Sequence, residues 1–250
     1  MKIITIGNIK GGVGKTTTVL NVASELARQG YKTLIIDGDS QSDTTNILDI
    51  GEFDTGLYEV YKDKHIGFDD AIYQVKENLY IVPNNIRSNK LEMELATRMN
   101  RESILKSKMN TMPDLFDFCI VDTSPFLGLT TQNCLAIADY YICVLDNSSS
   151  ALSGFSLMRE VVQELKDVGI NTDLKLLGIL RNRFDKRTNY SKSFNSVLEE
   201  AVPEHLFKTI ISDAIKYKEA AAMHNTIQGY SAQHAKVYTE LVSEMKERME

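Results

Sequence analysis

Residues 10–17 read Lys10-Gly11-Gly12-Val13-Gly14-Lys15-Thr16-Thr17, after the β-type apolar run Ile3-Ile4-Thr5-Ile6 and before a segment of helical periodicity. Phosphate oxygens need several donors converging on one concave spot, and backbone N–H groups supply them only where side chains leave room. Gly11, Gly12 and Gly14 leave that room. In this strand, loop and helix context Lys15 is placed to reach β- and γ-phosphates, and the Thr16 hydroxyl to ligate Mg²⁺. Ile9 stands where the general pattern G-x-x-x-x-G-K-S/T has its first glycine, and a second lysine, Lys10, follows it.

Strand and helix signals alternate outward from this loop. Val19, Val22, Ala23, Leu26 and Ala27 form the apolar stripe of a helix that Gly30 stops. Thr33–Ile36, Leu79–Val82, Phe118–Val121, Tyr140–Leu145 and Leu174–Leu180 are short apolar runs of the kind buried on both faces of a parallel sheet. Met158, Val161, Val162 and Leu165 mark another helix, ended by Gly169. A helix is expected through Leu91, Leu95, Met99 and Leu105, and a last one carrying Val237, Leu241, Val242, Met245 and Met249 on one side. Residues 51–78 are weakly periodic and give no clear element. The expected fold is α/β, a doubly wound, mainly parallel sheet with helices on both faces. One domain over residues 1–250 is expected, with no DNA-reading domain ahead of the loop.

Two further strands end in acids. Thr33–Ile36 runs into Asp37-Gly38-Asp39-Ser40-Gln41, and Phe118–Val121 runs into Asp122, the form of a Walker B strand. Ligands of open α/β sheets bind at the carboxyl ends of the strands, where these carboxylates stand.

Composition narrows the classes. With 250 residues and 43% apolar content, a large core is available. A formal net charge of −6 argues against a generally basic nucleic-acid binder, so any DNA contact must come from a local patch. No run reaches the apolar length of a membrane span and no signal-peptide pattern opens the chain, so a cytoplasmic protein is expected. Cys119, Cys134 and Cys143 show no metal spacing and read as small buried hydrophobes.

The motif at 10–16 resembles the deviant Walker A sequence K-G-G-x-G-K-S/T of the ParA/MinD group of P-loop ATPases, closest to the small Soj-like partition ATPases. The resemblance covers nearly the whole chain and is strongest at 1–48 and 117–146. It implies an ATPase, slow and partner-stimulated, using ATP, ADP and Mg²⁺. Residues 11–17 would hold the phosphates and Asn182 the adenine. Lys10 would reach across an ATP-sandwiched homodimer to the partner's nucleotide, while Lys15 serves its own. Asp39 falls on the acid that positions the attacking water, Asp37 on the first acid, near the Mg²⁺ shell, and Thr16, Asp37, Asp39 and Asp122 together make the implied Mg²⁺ set.

Departures from the pattern matter as much. Ser40 replaces the proline of D-x-D-P-Q, and Ser124 and Phe126 alter D-x-P-P-S-L-G. Ser212 and Ala214 alter T-x-I-P-R-N, so the adenine pocket must be built differently. Gln233 stands where many relatives carry a DNA-surface arginine, although Lys208, Lys216, Lys218 and Lys236 could compensate. The segment 181–192, with five basic residues and one acid, reads either as a DNA-facing patch or as a solvated loop.

By resemblance, the ATP dimer would bind duplex DNA without sequence preference, associate with the nucleoid, and be stimulated by a centromere-binding ParB-like adaptor. The alternative is a MinD-like or cargo-positioning ATPase acting on a membrane or protein complex. The final helix, with three bases and four acids over 236–250, argues for packing on the body over a membrane anchor.

Overall fold

A computed structural model describes residues 1–184 and 188–250. Eight strands form one sheet: β1 (Lys2–Gly7), β2 (Thr33–Gly38), β3 (Tyr73–Lys76), β4 (Leu79–Val82), β5 (Phe118–Thr123), β6 (Tyr140–Leu145), β7 (Lys175–Asn182) and β8 (Leu206–Ile211). Their order is β3-β4-β2-β5-β1-β6-β7-β8, and every pairing is parallel except β3 with β4.

Each central strand feeds two cores, because alternate side chains point to opposite faces. Ile4, Ile6, Ile35 and Ile120 join the core beneath the helices Lys15–Arg28 and Ala232–Met249. Ile3, Leu34, Ile36, Cys119 and Val121 join the core on the other face, packed with Met158, Val162 and Leu165 of the helix Ala151–Asp167. This two-sided burial explains why the strand runs are continuously apolar. Cys119, Cys134 and Cys143 are buried and free, as expected.

Two expected features change. The helix through Leu91, Leu95, Met99 and Leu105 is broken into 3₁₀ and α segments, Ile86–Lys90, Leu91–Leu95, Arg101–Ser103 and Ile104–Ser107. Asn100, at φ 53°, takes a left-handed conformation that stops propagation, and Met99 is left exposed while Leu91, Leu95 and Leu105 are buried. Residues 51–78 do carry structure: a helix at Leu57–Lys62 buries Leu57, Val60 and Tyr61, and β3 forms one edge of the sheet.

The opposite edge is β8. There the Glu244 carboxylate, on the helix Ala232–Met249, accepts from Lys208 N at 2.7 Å and Thr209 N at 3.1 Å, occupying donors that an edge strand leaves unpaired. Leu241, Val242 and Met245 of that helix are buried and Val237 and Met249 pack beside them, so the helix lies on the body. Among the described residues no helix is long and apolar enough to cross a membrane.

Candidate nucleotide site

The loop after β1 turns by means of Gly12 (φ 75°) and Gly14 (φ 97°), both in the left-handed region that favours glycine. Gly14 leaves no room for a side chain, since a Cβ there would lie 2.0 Å from Asn182 Nδ2. That amide, at the end of β7, donates to Val13 O at 2.7 Å and braces the loop. The helix Lys15–Arg28 starts at once, with Thr18 N and Oγ1 both donating to Gly14 O.

The two lysines part company. Lys15 is buried, and its Nζ donates to Lys10 O at 3.1 Å across the loop. Burial lowers its pKa, against the opposing pull of Asp122 and Asp39. Lys10 instead swings outward to Asp146, at the end of β6, with Nζ 2.6 Å from Oδ2.

The parallel register sets Asp37 directly beside Asp122. Asp122 Oδ2 accepts from Thr16 Oγ1 at 2.8 Å and from Thr44 Oγ1 at 2.7 Å. Burial pushes its carboxyl up to about 6, the Thr44 and Thr16 bonds working against that rise. Asp37 is wholly buried; its Oδ2 accepts from Thr45 N at 2.9 Å and Thr45 Oγ1 at 2.6 Å. Burial, with Asp122 alongside, pushes it up to about 8. Asp39 lines the cavity over the loop, its Oδ1 accepting from Gln41 N at 3.0 Å.

A cavity of about 450 Å³ lies over the loop. Gly11, Gly12, Gly14, Lys15, Thr16 and Thr17 form its phosphate-side wall, Asp39 and Pro125 its flank, and Asn182, Arg183, Asp213 and Tyr217 the far wall. The geometry thus brings Lys15, Thr16, Thr17, Asp39 and Asn182 to one space, with Asp122 behind Thr16. Asp37 and Lys10 stand outside that lining, one behind it and one turned to Asp146.

Among the described residues, the bases of 181–192 do not share one surface. Arg181 is buried: its guanidinium donates to Asn195, to Glu199 at 3.3 Å and to Phe207 O at 2.7 Å. Arg183 lines the cavity, Lys192 is exposed, and residues 185–187, with two of the five bases, lie outside the described residues. The expected patch therefore loses Arg181 to the core and Arg183 to the site.

Sequence reasoning missed Thr44, Thr45, Glu92 and Arg183. Glu92 accepts from Leu129 N at 2.8 Å and from Thr130 N at 3.0 Å and Oγ1 at 2.7 Å, capping the helix Leu129–Ala136 next to the Ser124–Gly128 loop. Thr44 and Glu92 act on residues distant in the chain, Thr45 acts on Asp37 eight residues before it, and Arg183, read only as one base of the 181–192 segment, turns to Gly12.

The glycine cradle, buried lysine and threonine–aspartate pair at the carboxyl ends of parallel strands define a P-loop nucleotide-binding fold. The sequence model of the AAA domain family, AAA_31, matches residues 1–176. The sporulation initiation inhibitor protein Soj of Bacillus subtilis is 32% identical over 98% of both chains. The chromosome-partitioning ATPase Soj of Treponema pallidum is 32% identical over 99% of this chain and 98% of its own. In three dimensions, apo McdA from Cyanothece superposes with a TM-score of 0.87 at 25% identity, all of each chain being covered. The chain belongs to this AAA domain family and, within it, to the ParA/Soj-type partition ATPases.

Proposed function

We propose that residues 1–250 work as one P-loop ATPase domain that closes an ATP-sandwiched homodimer, binds duplex DNA without sequence preference, and hydrolyses ATP to segregate plasmid or chromosome DNA. The observation that carries the nucleotide reading is the convergence of Lys15, Thr16 and Asp39 on one glycine-walled cavity in a chain alike to Soj over its full length.

The residues fit Mg²⁺ and ATP or ADP. Gly11 to Thr17 offer backbone donors and the Lys15 cation to phosphate oxygens, and Thr16, with Asp122 behind it, offers the hard oxygen donors Mg²⁺ takes. Bound Mg²⁺–ATP would supply the anhydride to be cleaved and the Lewis acid that neutralises its charge. Asp39 orients water, its carboxylate held by Gln41 N at 3.0 Å and its own carbonyl by Asn84. Asp37 positions the 39–45 loop through Thr45 and would act on the cation only from behind Asp122 and Thr16. Lys10 serves the partner's nucleotide once it leaves Asp146. Asn182 steadies the loop and offers its amide to the base. Hydrolysis is slow and stimulated by a ParB-like centromere-binding adaptor; the ATP form is nucleoid-associated in the cytoplasm.

A second reading, positioning of a protein complex or membrane cargo, is favoured by the net charge of −6 and by Arg181 leaving the basic surface. Binding to sequence-random duplex DNA, compared between ATP–Mg²⁺ and ADP–Mg²⁺ at low and near-physiological salt, separates the two. Phosphate contacts give a steep salt slope. ATP-dependent, salt-sensitive binding supports the partition reading. ATP-driven dimerisation without DNA binding in either state supports the cargo reading.

A further inference from the structure

Arg183 follows the last residue of β7 and takes a left-handed backbone conformation, φ 61°, that side-chain-bearing residues seldom adopt. From there its guanidinium reaches back over the phosphate loop. Nη1 donates to Gly12 O at 2.8 Å, and Nε lies 3.3 Å from Asp213 Oδ1. Asp213 comes two residues after β8, on the far wall of the cavity, whereas Gly12 belongs to the phosphate wall. One planar cation thus bridges the phosphate loop and the segment after β8, both of which line the cavity.

The span is made to break. The Arg183 and Asp213 side chains are 41% and 60% exposed, so their attraction is screened and weak. Asn182, one residue earlier, differs: it is buried and bonds Val13 O, a fixed brace. A triphosphate arriving at the loop would offer the guanidinium a stronger partner than a backbone carbonyl, and Arg183 is the side chain suited to exchange one for the other. The T-x-I-P-R-N pattern has arginine where this chain has Asp213, so the charge pair departs from that pattern.

We propose that Arg183 and Asp213 form a latch across the mouth of the nucleotide cavity, which must open for ATP to enter or leave and so sets the exchange rate. The inference rests on the nucleotide reading above. Stopped-flow kinetics of a fluorescent ATP analogue with Mg²⁺ test it on the full chain, comparing the unaltered protein with Arg183→Ala and Asp213→Asn. Both entry and release become roughly two- to fivefold faster in Arg183→Ala, the scale of exposed, screened contacts. Asp213→Asn moves both rates the same way by less, since the Gly12 bond survives, and it carries the test should Arg183→Ala fail to fold. Faster release with unchanged entry would make Arg183 a plain contact to the bound nucleotide and overturn the latch, as would unaltered rates in both variants. Failure of the unaltered protein to bind the analogue would overturn the nucleotide reading first.

Discussion

Lys10 and Lys15 share one loop and are held in opposite ways. Lys15 is locked inside by burial and by the Lys10 carbonyl; Lys10 is half exposed and tied to Asp146 through a single 2.6 Å contact. Removing the first takes a cation out of the phosphate cradle, while removing the second only frees a carboxylate at the end of β6. Lys15→Ala is expected to abolish nucleotide binding. Lys10→Ala is expected to leave ATP affinity of the monomer within about threefold, the scale of a partly exposed ion pair, and to remove ATP-dependent dimerisation. Fluorescent nucleotide titration and size-exclusion chromatography read these separately. Equal nucleotide loss in both variants would contradict an action of Lys10 on the partner's site.

At the scale of elements, the Glu92 carboxylate joins two segments that have no sequence signal for each other. It satisfies the first N–H groups of the helix Leu129–Ala136, where the helix dipole also favours an anion. Gly128, just before that helix, lets the carboxylate come close, since a Cβ there would lie 2.4 Å from Glu92 Oε2. Glu92→Ala should cost about 1–3 kcal/mol and lower the urea midpoint. A midpoint equal to that of the unaltered chain would show that water replaces the cap without loss. The same contrast marks what could be read from the sequence. β1, β2, β4, β5, β6 and β7 announce themselves because both of their faces are buried. β3, four residues with alternate exposure, and β8, an edge strand with Lys208 facing outward, carry only half of that pattern. In the site, Lys15, Thr16, Asp39 and Asp122 were readable from local spacing. Thr44 and Arg183 were not, because their roles arise only when loops from separate strands meet, and Thr45 was not, because a threonine eight residues after an acid carries no pattern until the loop folds back on Asp37.

For the molecule as a whole, the paired acids under the loop tie stability to pH. Asp37 and Asp122, ordinarily near 3.8, are pushed up to about 8 and about 6 by burial. Between the ordinary and the raised values the folded chain keeps protons that the unfolded chain gives up. Their contribution is therefore full below the ordinary carboxylate range and is lost as pH rises through about 6 and then about 8. Lys15, with its lowered pKa, acts in the opposite sense, in the alkaline window below the ordinary lysine value. The unliganded protein should show a lower urea midpoint at about pH 8.5 than at about pH 5.5; a midpoint that stays level or climbs would mean the two acids are ionised in the fold.

The carboxylate of Glu244 clasps a strand made earlier in the chain. A ribosome completes β8, at Leu206–Ile211, more than thirty residues before Glu244 is added. Until the last helix lies down, the Lys208 and Thr209 N–H groups stay open to another acceptor, so docking of that helix closes the sheet's exposed flank.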